Sequence, residues 1–126
     1  YFDTLLSDSD FITCHCPLTE KTENLIDKTA IDKMKKNAVV INTSRGPVVN
    51  DEDLADALNS GKIKAAGVDV LRVEPPEKEN PLLHAKNCYI TPHIAWAAYE
   101  TRARLLGILE QNIKAYIDGN PINVVN

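Results

Sequence analysis

No stretch of this 126-residue chain is long and apolar enough to span a bilayer, and its opening residues have neither the basic start nor the apolar run of a secretory signal. Basic clusters are equally scarce. The nearest is Lys33, Lys35 and Lys36, a solvated helix end in a chain of net charge −4, which argues against a nucleic-acid surface. Cysteine is limited to Cys14, Cys16 and Cys88, an odd number with two too close in sequence for disulfide geometry, so reduced thiols in a reducing, cytoplasmic compartment are expected. Cys14-His15-Cys16 is not read as a metal site, because neighbours on a strand point to opposite faces and no second ligand pair follows at zinc-finger spacing. The five glycines, at 46, 61, 67, 107 and 119, never fall into GxGxxG spacing, and no repeat, low-complexity tract or Gly/Ser linker occurs.

What remains is an ordinary globular composition, 44% hydrophobic and 25% charged, sufficient for one compact core. Apolar runs at residues 11–16, 38–42, 65–70 and 88–91 alternate with helical stretches, the signature of a parallel α/β sheet. Two of them, AVVIN and AAGVDV, are nearly continuous, which predicts strands buried on both faces and helices covering both. Asn50 can cap a helix over 51–60, with Asp53 in its first turn, Leu54, Ala57 and Leu58 on one face and Gly61 as a left-handed stop. A longer helix is expected over 97–118, with Leu105, Leu109, Ile113 and Tyr116 in one stripe, Leu106 and Ile117 widening it, and Gly119 then Pro121 ending it. Shorter helices are expected near 1–7 and 29–36.

In an open parallel sheet, ligands bind beyond the carboxyl ends of the strands. Those ends read His15-Cys16-Pro17, Thr43-Ser44-Arg45-Gly46, Asp69 and Pro92-His93. Burial of a sheet does not require an Arg, an Asp and a His at these positions, so a shared site along the carboxyl edge is the economical explanation.

Four motifs stand in order: HCPLTEKTENLI at 15–26, VVINTSRGPVV at 39–49, GVDVLRVEPP at 67–76 and NCYITPHIAWA at 87–97. Together they resemble the D-isomer-specific 2-hydroxyacid dehydrogenase family over nearly the whole chain, and TPHIAWA resembles its glycerate dehydrogenase/hydroxypyruvate reductase branch. The resemblance implies the second half of a Rossmann-type doubly wound parallel sheet: about four parallel strands with flanking helices in residues 1–96, then a long C-terminal helix and tail, 97–126, returning to a substrate domain. It implies hydride transfer between NAD or NADP, with NAD favoured, and a small 2-keto or 2-hydroxy acid. Arg45 would hold the substrate carboxylate and carbonyl with its planar fork, His93 would exchange the proton, and Glu74 would pair with His93. The position of Glu74 is Gln in the formate dehydrogenase relatives, so Glu favours keto-acid chemistry. Asp69 matches the nicotinamide carboxamide contact, while Thr43 and the His15–Pro17 turn match contacts along the cofactor.

The family's domain begins with a glycine-loop half that holds the cofactor pyrophosphate, and nothing in this sequence matches it. A truncated enzyme is therefore expected, inactive on its own. The full enzyme is expected to be a homodimer, and this chain to self-associate through an exposed first-strand edge or its C-terminal helix.

Each residue also has a structural reading. Arg45 and Asp69 suit turns, Glu74 suits a solvated loop, His93 and His84 can be satisfied loop histidines, and Trp96 suits pocket wall or core equally. Four ordered motifs carry the functional reading; no single residue does. Two other function classes compete with it: a non-catalytic regulator on the same scaffold, such as a dehydrogenase-like corepressor, and a phosphate-accepting receiver domain. The receiver requires an acidic pair at the first strand end and Lys at the last, where this chain has His15 and His93.

Overall fold

The computed structural model describes residues 1–125. It contains two compact units, the first spanning Tyr1–His93 and the second beginning at Ile94. The first unit is a four-stranded parallel sheet in the order β1-β2-β3-β4, with β1 Phe11–Cys14, β2 Val39–Asn42, β3 Ala65–Val68 and β4 Cys88–Ile90. Each strand is shorter than its apolar run. Cys16, Val70 and Thr91 fall outside the ladder, so the polar strand-end residues begin immediately beyond it.

Register fixes which side chains share a face. Phe11, Val39 and Ala65 are laterally aligned, as are Cys14, Asn42, Val68 and Ile90. Because side chains alternate along a strand, Ile12, Cys14, Val40, Asn42, Ala66 and Val68 lie on one face, and all are buried. The apolar ones cluster with Leu6 of helix α1 (Phe2–Asp8), Ala30 and Ile31 of α2 (Lys28–Lys33), and Leu54, Ala55 and Leu58 of α3 (Asp51–Ser60). Burying a side chain the size of Leu54 contributes about 1.5–3 kcal/mol.

The opposite face corrects the expectation of two-sided burial. Phe11 and Tyr89 there are 67% and 69% exposed, and Val39, Ile41 and Ala65 are half-buried. Burial along β2 and β3 alternates, although their composition does not. An apolar run shows that a strand tolerates burial on both sides, not that both sides are covered.

Local signals set the helix ends. The Asn50 side chain accepts from the Glu52 and Asp53 amides, both at 3.1 Å, and Gly61 closes α3 at φ 72°, as its sequence predicts. Asp27 caps α2 by accepting from the Ala30 amide at 2.8 Å, and the Lys62 ammonium donates to the Asp32 and Met34 carbonyls at its C-terminus. The helix expected over 29–36 accordingly stops at Lys33, where Met34 turns extended. Two 3₁₀ turns, Gly46–Val48 and Pro81–His84, complete the unit; each has proline in its first turn, a position that needs no amide donor.

The second unit carries α4, Tyr99–Ile117. It starts two residues later than expected because Ala98 is extended and offers no side-chain cap. Left-handed Gly119 follows its end. The stripe of Leu105, Leu109, Ile113 and Tyr116 is exposed. Trp96 is half-exposed, with the Arg102 guanidinium 5.4 Å above its ring, so it is not a core residue. No helix among the described residues is long and apolar enough to cross a membrane.

Candidate functional site

The strands run parallel and in near-perfect lateral alignment, so their carboxyl ends share one edge, and each donates a short polar loop. The β2 loop is organised by Asn42, only 1% exposed. Its Oδ1 accepts from the Ser44 amide at 3.1 Å and the Ser44 hydroxyl at 2.8 Å, while Nδ2 donates to the Arg45 carbonyl at 2.9 Å. A buried amide thus replaces strand pairing just where the ladder ends, and the chain turns sharply enough to present Arg45. The exposed Arg45 guanidinium donates to the Ser44 carbonyl at 2.7 Å.

Gly46 follows, and its Cα packs against the β3 loop so closely that a Cβ would overlap the Leu71 carbonyl group and the Arg72 nitrogen. That loop opens with Asp69, 5% exposed, and continues to Glu74, which precedes a cis Pro75. The Leu71 amide donates to Glu74 Oε1 at 2.9 Å. From β4, the Thr91 hydroxyl donates to Asp69 Oδ1, and His93 Nδ1 lies 2.6 Å from Glu74 Oε2. The structure therefore brings Glu74 and His93 together across 19 residues of sequence, and places Asp69 and Thr91 beside them.

His93 takes φ 54°, in the left-handed region that a residue with a Cβ seldom occupies. Such a conformation persists where surrounding contacts over-determine it, here the Glu74 bond and a backbone bond from the His93 amide to the Thr91 carbonyl at 3.0 Å. The hydrogen bond from His93 holds the Glu74 carboxyl below its ordinary value of 4.5; the Leu71 amide and the His93 charge act in the same direction, against partial burial and the nearby Asp69 charge. Glu74 is thus an anion bonded at both oxygens.

These groups border a cavity of about 400 Å³, with Asp69, Glu74, Thr91 and His93 supplying the polar contacts and Leu71, Ile90 and prolines the apolar wall. That combination of an apolar pocket with a few convergent polar groups suits a small ligand or cofactor ring. A larger cleft, about 540 Å³ between α2 and α3, is lined by solvated charges such as Lys28, Asp32 and Asp56 and has no comparable convergence.

The other sequence candidates do not line this cavity. His15 Nε2 is 3.1 Å from the Thr13 hydroxyl at the end of β1. Pro17 is fixed through its carbonyl, which accepts from the Thr22 hydroxyl at 2.7 Å; that hydroxyl also accepts from the Thr19 amide, so LTEKT is a self-bonded turn. Thr43 is exposed beside Ser44. His84 Nε2 meets the Lys78 carbonyl at 3.3 Å, a loop contact. Among the described residues, no three His, Cys, Asp or Glu side chains are grouped to hold a metal ion. Sequence reasoning missed three participants: Thr91, visible only as a threonine in TPH; Asn42, hidden inside an apolar strand; and the Leu71 amide, which carries no sequence signal.

The family model described as "D-isomer specific 2-hydroxyacid dehydrogenase, NAD binding domain" matches residues 1–95. The chain belongs to this family. Among family members, it is 53% identical over 124 residues to a hydroxypyruvate reductase of Blautia hydrogenotrophica, covering 98% of this chain and 38% of that protein. It is 48% identical over 118 residues to the human glyoxylate reductase/hydroxypyruvate reductase, covering 94% of this chain and 36% of that one. The solved D-lactate dehydrogenase of Lactobacillus jensenii with NAD+ superposes with a TM-score of 0.91 at 31% identity, covering 100% of this chain and 42% of that one. The chain thus spans about two-fifths of the length of these dehydrogenases. The Rossmann-type half-sheet expected from the sequence is the fold observed.

Proposed function

We propose that this chain provides the acid–base and substrate-anchoring half of the cofactor domain of an NAD-dependent D-2-hydroxyacid dehydrogenase, acting on a small 2-keto acid of the hydroxypyruvate and glyoxylate class. The observation that carries the reading is the 2.6 Å contact between His93 Nδ1 and Glu74 Oε2 at the border of the cavity that contains Asp69. With Nδ1 held by a carboxylate, the tautomer is fixed and proton exchange with a substrate oxygen falls to Nε2. Glu74 stabilises the charge that His93 carries before it gives up that proton. Arg45 binds the substrate carboxylate, a task matched by a guanidinium's two parallel donors.

The nicotinamide, when bound, supplies or accepts the hydride. The donor set fits it: buried Asp69 is a hydrogen-bond acceptor suited to a carboxamide, in a cavity with an apolar wall suited to a ring. Thr43, His15 and Pro17 belong to loops at the same sheet edge and serve the rest of the cofactor. We infer NAD in preference to NADP from the family's description. The isolated 126 residues, lacking a GxGxxG turn, are not expected to turn over. Relatives named as reductases and dehydrogenases support catalysis over the regulator reading.

The test is steady-state reduction of hydroxypyruvate, glyoxylate and pyruvate by the protein in its full natural length, with NADH and NADPH. Arg45→Ala should chiefly raise KM for the keto acid, and His93→Ala should lower kcat by roughly 100- to 10,000-fold. No turnover with any of the acids, or indifference to both substitutions, would refute the reading. A homodimer is inferred for the enzyme, and self-association of this chain through the outer edge of β1 or the exposed α4 stripe. Light scattering over a concentration series decides the latter, with Thr13→Pro separating the strand route from the helix route; a strictly monomeric chain rules out both.

A further inference from the structure

Among the five glycines, only Gly46 has its Cα pressed against another part of the chain. Its backbone does not explain the glycine, since the positive-φ glycines are Gly61 and Gly119. Space explains it. An added Cβ would overlap the carbonyl carbon and oxygen of Leu71 and the nitrogen of Arg72. These are backbone atoms, which cannot rotate aside as a side chain can.

The contacted peptide joins Leu71 to Arg72, and across the Leu71 Cα from it lies the amide that is bonded to the acid–base pair. The Leu71 amide donates to Glu74 Oε1 at 2.9 Å, and Oε2 of the same carboxylate meets His93 Nδ1. A second set of contacts ties the same two loops together. Arg72 donates to Glu23 at 3.2 Å and to Asn24 Oδ1, and the Asn24 amide donates to the Pro47 carbonyl at 2.8 Å, one residue beyond Gly46. Loop β2, the turn at 23–24 and loop β3 form a closed ring of contacts, with Gly46 as its steric seat.

We propose that Gly46 is a positioning residue that sets the acid–base pair relative to the substrate anchor: by omitting a side chain it seats the Arg45 turn on the Leu71–Arg72 peptide, which orients the Glu74 carboxylate beneath His93. The proposal rests on the catalytic reading of Arg45, Glu74 and His93. It adds that the distance between the carboxylate-binding arginine and the proton-exchanging histidine is maintained by a backbone contact between their loops, so a residue that touches neither substrate nor cofactor controls the rate. Loss of that spacing by about 1 Å can cost on the order of 100-fold in rate.

The experiment has a physical arm and a kinetic arm. In the 126-residue chain, NMR of the wild type should show the Leu71 amide proton shifting as Glu74 titrates. Asp69 and His93 are the other charged groups facing that carboxylate. In Gly46→Ala, the shift should shrink or vanish and the Glu74 midpoint should rise toward the ordinary carboxyl value. Ile31→Val, a core change in α2, should leave both unchanged. A wild-type Leu71 amide that ignores Glu74 overturns the proposal even if Gly46→Ala does not fold. An unaltered Leu71 response and Glu74 midpoint in folded Gly46→Ala overturn it as well.

In the full-length protein, Gly46→Ala should lower kcat with a displaced pH profile, whereas Arg45→Ala acts mainly on KM. If Arg45→Ala and His93→Ala impair turnover but Gly46→Ala leaves kcat and its pH profile intact, the positioning role is wrong. If none of the three impairs turnover, the catalytic reading fails instead, while the NMR arm still reports whether the loops are coupled.

Discussion

Replacing Asn42 with alanine should destabilise the chain by about 2–4 kcal/mol, a large effect for a conservative-looking change at a strand end. Asn42 is 1% exposed and makes three hydrogen bonds, to the Ser44 amide, the Ser44 hydroxyl and the Arg45 carbonyl. Each is worth about 1 kcal/mol net, and orphaned partners that cannot reach water cost up to about 3 kcal/mol more. Ser44 is half-buried and Arg45 exposed, so part of the loss is recovered by solvation, which keeps the sum toward the lower end. A chain of 126 residues has roughly 6–19 kcal/mol in total, so the variant should still fold. Urea unfolding followed by circular dichroism measures the change as a shift in midpoint at unchanged slope. Ser44→Ala removes the hydroxyl bond alone and should cost about 1 kcal/mol; the double variant should be less than additive, since one bond is shared. Asn42→Asp should be at least as damaging at neutral pH, where a carboxylate oxygen would face the Arg45 carbonyl, and should recover on acidification as the acid gains a proton to donate. A midpoint shift for Asn42→Ala equivalent to less than about 0.5 kcal/mol would show that the turn stands without its buried template.

Asn50→Ala should cost about 1 kcal/mol in the same unfolding assay by removing the acceptor for two α3 amides, with Asp56→Ala on the exposed face of the same helix as a comparison. Cys14 and Cys88 are pushed up to about 11 chiefly by burial, so both thiols should react slowly with Ellman's reagent at mildly alkaline pH and quickly once urea unfolds the chain. Because the folded Glu74 carboxyl lies below its ordinary 4.5, its contribution to stability is present above that value and is lost as pH falls through the lowered folded-state one. Glu74→Gln should therefore flatten the acid limb of the stability profile slightly, by an amount kept small because the side chain is 37% exposed. A variant whose acid limb superposes on the wild type would remove Glu74 from that account.

Parts of the fold whose cause is local could be read directly. Asn50 and Gly61 bracket α3 because capping and left-handed closure depend on a few adjacent residues. Strand ends carrying Arg45, Asp69 and His93 were legible because an apolar run interrupted by charge is a local pattern. The Glu74–His93 contact came from the ordered motifs, since nothing within EPP or TPH alone says that they meet. What could not be read depends on neighbours distant in sequence. Val39 and Ile41 suit burial on either side, but only the packed tertiary structure shows which side the helices cover. The Leu71 amide is a backbone group, identical in every residue but proline, so its bond to Glu74 leaves no mark on composition. The left-handed His93 is likewise invisible, because that region holds only a small minority even of histidines, enriched there though they are.

The separation of Glu74 and His93 along the chain has a consequence for how the molecule comes into being. Glu74 follows β3 and His93 follows β4, so the carboxylate and imidazole are 19 residues apart and meet only after β3 and β4 pair; Asp69 and Thr91, 22 apart, depend on the same event. Closing such loops must precede any reward from the contacts they permit. The imidazole is therefore a natural chronometer for assembly. Its resonance should acquire its final environment only when β4 docks, late relative to the capping of α3, whose bonds span two and three residues. A nascent chain released before residue 91 would hold Arg45, Asp69 and Glu74 without the imidazole that Glu74 meets in the folded chain.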